Sequence, residues 1–516
     1  MSTPSGVREG LTSVTKGTLL LLLATLCFVG LNFVARVIIV RTISPLEWDA
    51  FSFALALVGV VAAVGTLGLP SAVARSLPYA ATDAERRSIV KGSLLVGGLA
   101  AVVASLALWL ASPWISTLAP DLGPALQVFP IAAGTSVAMS LIAAIFQGYE
   151  DVTPNALFVQ IVTPALFVVF LVAVLLAHPK GLAYESAVLA YVAANIASLG
   201  LTVVYALRRL PLLLSAGPTA PGALGHLMRF AAPLFLVSLA GTLSGSGDTL
   251  VLGVLHPGDV GTYSASLTLA RLLQIGVGAA SYIFLPVAAR FLREKQTSAV
   301  AVVYVTVTKW MILFSLPLLL LFLFAPGRSL DFVYGATYSV TVLPLQITVV
   351  GAFLTTVFGP AGNAQVAFAQ TRLLAVNSVA SVLVDLALAF VLVPEYGMTG
   401  AAIAWAAATV TSTGLSLVEL AVITSVHPFR PHFLVPLLVT ALPVGAVLFF
   451  LPFALPLWSL PVIGLAIAGV FVLAVLGTRS IDEGDRLLLR AVEGLFGRPL
   501  PLLRRIGRLG LRRPGP

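Results

Sequence analysis

Residues 43–55 read ISPLEWDAFSFAL, and residues 255–267 read LHPGDVGTYSASL. Both segments follow the pattern apolar-x-Pro-x-acid-x₃-aromatic-Ser-x₂-Leu, and they are 212 residues apart. Further along, SLGL at 198–201 matches STGL at 412–415 with an offset of 214 residues. A general excess of apolar residues would not align prolines and polar residues in the same order. The chain therefore contains an internal repeat.

The composition places this repeat in a membrane protein. Of the 516 residues, 59% are hydrophobic and 9% are charged, and the mean hydropathy is +1.05. A soluble domain has about 25% charged residues, so these values exclude a soluble globular chain. A bilayer core requires roughly 20 apolar residues per helix. The chain contains fourteen such runs, at 17–40, 50–74, 92–112, 123–146, 154–177, 184–207, 228–255, 262–289, 302–325, 337–360, 370–393, 398–424, 432–453 and 457–478.

The repeat offset covers six of these runs, which is an even number and predicts a parallel repeat. The predicted fold is all-α, a polytopic integral membrane protein with 14 transmembrane helices in two six-helix lobes plus two C-terminal helices. In transporters built from parallel repeats, the substrate binds between the lobes. The predicted domains are 1–213 for the first lobe, 220–424 for the second, 430–478 for helices 13 and 14, and 479–516 for a basic cytoplasmic tail, either amphipathic or disordered.

The basic residues predict the orientation. The formal net charge is +9, with 29 Lys and Arg against 20 Asp and Glu. If the N-terminus lies inside, 24 of the 29 basic residues fall on inner segments, including Lys309 and nine arginines after residue 478. This bias indicates a multi-pass protein of the cell membrane with both termini in the cytoplasm. The positive charge is then an orientation signal, and nucleic acid is not an expected partner.

A few charged residues lie inside the predicted spans, where insertion of a charge costs about 2.5–3.5 kcal/mol. Asn32 and Arg36 are i and i+4 on one face of helix 1. A guanidinium there could grip a phosphate bidentately, or it could snorkel to the outer headgroups. Arg41 is a second candidate for phosphate, although snorkelling is the favoured interpretation for it.

Two further charges belong to the second lobe. Asp248 aligns with Arg36 under the 212-residue offset, so we expect the two to pair, unless Asp248 only makes a helix-to-helix hydrogen bond. Arg271 lies about ten residues into the predicted eighth helix. It is too deep to snorkel easily, and it is predicted to bind substrate phosphate or pair with an acid.

Two polar stripes complete the candidate site. Helix 11 aligns Asn377, Ser381 and Asp385, and helix 12 carries Ser416 and Glu419. Such stripes suit sugar hydroxyls, a coupling cation or plain interhelical hydrogen bonds, and these alternatives stay open. A buried acid could carry a proton, but the stripes do not distinguish H⁺ from Na⁺ coupling.

Other chemistry has little support. Cys27 is the single cysteine, the five histidines show no metal-ligand spacing, and no phosphate-binding G-x-x-x-x-G-K-[ST] motif occurs. No G-x-S-x-G motif is present either. The sequence therefore predicts a protein that is not an enzyme and has no metal site and no cofactor other than a possible coupling ion.

Several motifs occur together in one order along the chain. They are RTISPLEWDAFS at 41–52, GTYS at 261–264, RLLAVN at 372–377 and VPEYGMTGAA at 393–402. In that order, over about residues 10–480, the chain resembles the polysaccharide (Wzx-type) flippases of the MOP superfamily, which also includes MATE drug antiporters and MurJ lipid II flippases.

The resemblance implies a V-shaped bundle of 14 helices that flips an oligosaccharide linked to a polyprenyl (pyro)phosphate. The expected partners are this lipid-linked oligosaccharide, membrane lipids and glycan-assembly proteins, and the expected state is a monomer. The alternative is a MATE-like, cation-coupled exporter of small organic cations. Arginines on helices 1 and 8 favour the phosphate-bearing substrate over an organic cation.

Overall fold

The computed structural model describes residues 5–118, 123–178, 182–210, 222–275, 278, 284–285, 287–289, 291–292, 294–428, 438–441, 443–445, 447 and 459–477. All regular secondary structure in these residues is helical, which confirms the all-α part of the prediction. The α-helices are α1 (Ser5–Thr42), α2 (Pro45–Thr66), α3 (Leu69–Ser76), α4 (Asp83–Leu118), α5 (Gly123–Gly148), α6 (Thr163–Ala177), α7 (Tyr184–Arg209), α8 (Ala223–Leu255), α9 (Val260–Leu272), α10 (Thr297–Phe324), α11 (Pro326–Tyr334), α12 (Val342–Val357), α13 (Ala361–Ala367), α14 (Thr371–Tyr396), α15 (Met398–Thr424) and α16 (Ser459–Gly477). Short 3₁₀-helices occupy Leu77–Tyr79 and Ala336–Val340, and a π-helix occupies Asn155–Val162.

Eleven of the described helical segments are long and apolar enough to cross a membrane. The chain is therefore a multi-pass membrane protein. The three predicted runs outside these eleven, at 262–289, 432–453 and 457–478, are only partly covered by the described residues, and α16 falls within the last of them. The number of fourteen spans stays a prediction, and the predicted tail at 479–516 lies outside the described residues.

Two predicted runs are interrupted, which corrects the assumption of continuous helices. The run at 50–74 divides into α2 and α3 at Gly68, whose φ is +70°. The run at 337–360 begins only at Val342, and a break at 358–360 separates α12 from α13. Within that break Gly359 has φ of +74°, and Pro360 has no N–H to donate. Proline and a left-handed glycine together end an α-helix locally, even in an apolar segment.

The first residues of α2 are positioned by a capping box. The Glu47 backbone N–H donates to the Ser44 hydroxyl at 3.3 Å, and the Ser44 backbone N–H donates to the Glu47 carboxylate at 2.8 Å. Pro45 stands in the first turn, where its missing N–H costs nothing. The motif at 43–55 therefore starts a helix with a defined direction, and it brings Trp48 and Asp49 into the first turns of that helix.

The chain divides into two compact units. The first, here called the N-unit, comprises Leu20–Ser264 and Val393–Met398. Its core packs α3, α4, α5 and α8 against one another through residues such as Leu69, Val90 and Leu141. In lipid, helices associate through close packing and hydrogen bonds rather than through hydrophobic burial.

The second unit, here called the C-unit, comprises Met1–Leu19, Ala265–Leu392 and Thr399–Pro516. Its core includes Tyr304 and Val307 of α10, Ala364 of α13 and Leu420 of α15. The predicted lobe boundary between 213 and 220 falls where residues 211–221 are not described. The lobes therefore stay a prediction.

Candidate functional site

The polar face of α1 contributes the first candidate residues. Asn32 and Arg36 are both half-buried in the N-unit. The Asn32 amide donates to the Phe28 carbonyl of its own helix at 2.8 Å, and the Arg36 guanidinium interacts electrostatically with the Tyr191 hydroxyl of α7. Arg41 is exposed in the last turn of α1, where a cation interacts favourably with the helix dipole. Asn32 and Arg36 thus share a partly buried face, whereas Arg41 lies at the helix end.

An aromatic cluster surrounds Tyr191. The Tyr191 ring lies 6.2 Å from the Phe51 ring, 5.5 Å from Phe129 and 5.2 Å from Phe167, measured between centroids. These edge-to-face and tilted contacts fix the tyrosine ring, since aromatic pairs at such distances are mutually stabilising. This cluster is not evident from the sequence, because its four aromatic residues belong to four separate helices.

Asp248 lies in the N-unit and is fully buried. Its carboxylate accepts a hydrogen bond from the hydroxyl of Tyr263 in α9, whose side chain is also fully buried. A hydrogen bond to a buried charged group contributes about 1.5–3 kcal/mol. Tyr263 is therefore a partner that sequence reasoning did not identify, and the pairing of Asp248 with Arg36 stays a prediction.

The two copies of the repeated motif contact each other. The Asp49 carboxylate accepts a hydrogen bond from the Gly261 backbone N–H, and the Trp48 indole N–H donates to the Gly261 carbonyl at 2.8 Å. A Cβ at Gly261 would lie 2.4 Å from the Trp48 ring, so only glycine fits this position. Asp49 and Gly261 are repeat equivalents, separated by 212 residues. The sequence showed the motif but not that its two copies would meet.

Two cations belong to the C-unit. Arg271 is half-buried in the last turn of α9, which ends at Leu272. The helix therefore ends one residue after Arg271, whereas the predicted span continued to residue 289. Lys309 lies near the middle of α10 and is only 8% exposed. The assignment of Lys309 to the inner segments stays a prediction, and the structure adds that this side chain is buried against its neighbours.

The stripes on α14 and α15 meet α13 in a buried cluster of hydrogen bonds in the C-unit. The Glu419 carboxylate accepts hydrogen bonds from the Gln365 amide at 2.6 Å and from the Asn377 amide at 2.8 Å. The Asn377 amide also donates to the Ser416 hydroxyl at 3.1 Å. Gln365, Asn377 and Ser416 are each at most 2% exposed. We call these four residues the α13–α15 cluster, of which sequence analysis missed Gln365.

The other two members of the α14 stripe lie outside this hydrogen-bonded cluster. Ser381 donates to the Ala408 carbonyl at 2.9 Å, which is an interhelical contact between α14 and α15. For Ser381, this contact supports the packing alternative. Asp385 is fully buried, and its carboxylate lies two turns beyond Asn377 on α14. On α14, Ser381 therefore makes a packing contact, and the residues on either side of it in the predicted stripe, Asn377 and Asp385, are buried polar side chains.

The arrangement supports binding chemistry. In the N-unit, the half-buried guanidinium of Arg36 can bind an anion, and the buried carboxylate of Asp248 can accept hydrogen bonds from a donor. In the C-unit, the α13–α15 cluster presents oxygen atoms and an acid. Within the described residues, no group of three or more His, Cys, Asp or Glu side chains is placed to hold a metal ion.

Comparison with known proteins supports the family resemblance. The family model described as "Polysaccharide biosynthesis protein" matches residues 14–292. A search of curated proteins found no match.

Solved structures of transporters share the fold. A lipid II flippase MurJ in an inward closed conformation superposes with a TM-score of 0.71, at 12% identity, over 87% of this chain and 97% of that chain. An inward-facing MATE multidrug transporter gives 0.62, at 13% identity, over 77% and 94%. A MOP superfamily transporter from Pyrococcus furiosus gives 0.55, at 13% identity, over 82% and 99%. These TM-scores show that the chain shares its fold with these transporters, and the match to the family model confirms the predicted family relationship.

Proposed function

Because the chain belongs to the polysaccharide biosynthesis protein family, we propose that it flips a polyprenyl-(pyro)phosphate-linked oligosaccharide from the cytoplasmic to the outer leaflet. Movement by alternating access would make it a membrane transporter and not an enzyme. The shared fold with a structure named as a lipid II flippase supports the choice of a lipid-linked substrate.

The half-buried Arg36 on the polar face of α1 is the observation that carries this proposal. A guanidinium at membrane depth is costly unless it has a function or a partner. It provides planar, bidentate hydrogen bonding that matches a phosphate. A phosphate-linked glycan is therefore a better chemical match to Arg36 than an organic cation, because like charges would repel in a low dielectric.

The finer architecture belongs to the same proposal. Fourteen spans in two six-helix lobes plus two helices, with both termini in the cytoplasm of a cell-membrane protein, are consistent with the eleven described spans and the bias of the basic residues. A monomer and contacts with glycan-assembly proteins complete it. We further propose that the α13–α15 cluster binds the coupling ion, H⁺ or Na⁺, because Glu419 is its acid.

Gene deletion in the host, followed by complementation, tests the substrate. In the deletion strain, lipid-linked oligosaccharide is expected to accumulate on the cytoplasmic side of the membrane. Wild type and the variant Arg208→Gln, which changes an exposed arginine in the last turn of α7, should restore export. Arg36→Gln should restore less than about a tenth of it, because a charge-assisted phosphate contact contributes at least about 1.4 kcal/mol. Equal rescue by Arg36→Gln and Arg208→Gln would remove Arg36 from the substrate site.

A MATE-like exporter of small organic cations is the second candidate. The observation in its favour is the fully buried carboxylate of Asp248, since a buried acid can attract a cation. Unchanged glycans with increased sensitivity to cationic drugs in the deletion strain would support this candidate and contradict the flippase.

A further inference from the structure

The polar face of α1 continues toward the N-terminus of the helix, beyond Asn32 and Arg36. Thr25, Asn32 and Arg36 stand at i, i+7 and i+11, so all three lie on one side of the helix. All three are half-buried, whereas Leu23 and Val34 on the opposite side are 49% and 45% exposed. The distance from Arg36 to Thr25 along the helix axis is about 16 Å, at 1.5 Å per residue. Thr25, Asn32 and Arg36, here called the α1 stripe, therefore reach far enough to contact more than a phosphate group.

A π-helix lies beside the N-terminal end of the α1 stripe, at Thr25. It spans Asn155–Val162, immediately before Pro164 in α6. Proline has no N–H, and in an α-helix its ring would clash with the carbonyl of Gln160, four residues earlier. Widening the turn relieves that clash, and π-helical turns occur frequently at functional sites.

Hydroxyl groups stabilise the wide turn. The carbonyl of Phe158 accepts the Thr163 backbone N–H, the Thr163 hydroxyl at 2.8 Å and the Ser198 hydroxyl of α7 at 3.2 Å. The Ser198 side chain is fully buried. Because three donors converge on the Phe158 carbonyl, specific hydrogen bonds within the N-unit stabilise the π-helix.

The π-helix presents Gln160 to the stripe. The Thr25 hydroxyl donates to the Gln160 side-chain oxygen at 2.9 Å. Gln160 is half-buried, and within the described residues no hydrogen bond of its amide nitrogen is found. That nitrogen carries two donors, and polar groups in a low-dielectric interior require partners. The pair therefore offers uncharged donors toward the stripe.

We propose that Thr25 and Gln160 form a sugar-binding subsite, which takes hydroxyl or acetamido oxygens of the oligosaccharide while Arg36 binds its phosphate. This inference rests on the proposed function. An amide and a hydroxyl carry no charge, so they match neutral sugar groups better than a phosphate or a cation. A site that hydrogen-bonds such groups also rejects a ligand that lacks them.

Binding of two lipids to the purified full-length protein tests the subsite. The probes are a polyprenyl diphosphate and the same lipid bearing a disaccharide. Gln160→Met and Thr25→Val should each weaken binding of the glycosylated lipid by roughly threefold to tenfold, the effect of one neutral hydrogen bond. Both variants should bind the bare lipid like wild type, and Arg36→Gln should weaken binding of both lipids.

Thr66→Val is the matched control, because the Thr66 hydroxyl donates to the Ala63 carbonyl of its own helix at 2.7 Å and to no other group among the described residues. It should leave both affinities unchanged. Equal weakening for the two lipids, or no weakening in either variant, would overturn the subsite while leaving the flippase intact. If Gln160→Met does not fold, Thr25→Val alone decides. A wild-type protein that binds neither lipid would instead contradict the proposed function.

Discussion

Single polar side chains in this protein are best understood by comparing the two copies of the repeat. Arg36 and Asp248 are equivalent positions, and so are Phe51 and Tyr263. In the second copy the tyrosine hydroxyl donates to the buried carboxylate of Asp248. In the first copy the equivalent position holds an arginine, which needs acceptors rather than donors, and the aromatic residue is a phenylalanine without a hydroxyl. The hydroxyl is present in the copy where a buried acid requires a donor.

At the same scale, Glu419 is expected to determine the ion dependence of transport. Glu419→Gln retains the shape of the side chain but removes the charge to which Gln365 and Asn377 donate. We expect proteoliposomes with the wild-type protein to respond to an imposed proton or sodium gradient, and those with the variant to lose that response. Transport of the fluorescently labelled lipid-linked substrate, with and without each gradient, measures it.

The control for this substitution is Glu185→Gln, which changes an exposed acid in the first turn of α7. It should respond to the gradients like wild type. A gradient response that survives in Glu419→Gln would exclude the α13–α15 cluster as the coupling site.

At the level of elements, interruptions of the helices occur beside polar chemistry. The break between α12 and α13 is held by the Tyr304 hydroxyl, which donates to the Phe358 carbonyl. Gln365 of the α13–α15 cluster follows in α13. The π-helix likewise precedes α6 and presents Gln160 to Thr25. Irregular backbone at membrane depth is tolerated where neighbouring helices satisfy its polar groups.

Gly359→Ala is expected to destabilise the break between α12 and α13. Gly359 has φ of +74°, and a Cβ there would lie 2.2 Å from the Thr308 hydroxyl oxygen. The left-handed conformation alone costs about 1–2 kcal/mol for a residue with a side chain. The thermal unfolding midpoint of the purified protein in detergent should fall.

Gly414→Ala serves as the comparison, because Gly414 lies within α15 and a Cβ there makes an ordinary contact of 3.7 Å with Phe358. Alanine favours a helix over glycine by roughly 0.5–1 kcal/mol, so this variant should keep or raise the unfolding midpoint. Equal midpoints for the two variants would mean that the break has no specific geometric requirement.

At the scale of the whole molecule, the orientation in the membrane can be tested with one cysteine at a time. Cys27 is the single cysteine, so Cys27→Ala provides an unlabelled background. Leu46→Cys, at a residue 51% exposed, should react with an impermeant maleimide on intact cells. Tyr79→Cys, at a residue 83% exposed, should react only after permeabilisation. The reverse pattern would contradict the orientation inferred from the basic residues.

Much of the fold follows from composition and spacing. Apolar run length predicts helices because a backbone in lipid must bond within its own segment, and eleven of the fourteen predicted runs correspond to the described spans. Breaks were harder to locate, since a proline in an apolar run can kink, widen or end a helix. Pro164 accompanies a π-helix, whereas Pro360 follows the end of α12. Which outcome occurs depends on the side chains of neighbouring helices.

The linear chain was sufficient to identify a repetitive, all-helical membrane protein, to recognise its family and to nominate Arg36, Asp248 and Glu419, because a charge in an apolar run is conspicuous by itself. Only the tertiary structure decided their partners. Tyr263, Gln365 and the meeting of Asp49 with Gly261 come from different helices or from positions 212 residues apart. Hydrogen bonds depend on distances in space, and uncharged donors such as Gln160 carry no signal in the sequence until a neighbouring helix shows where they point.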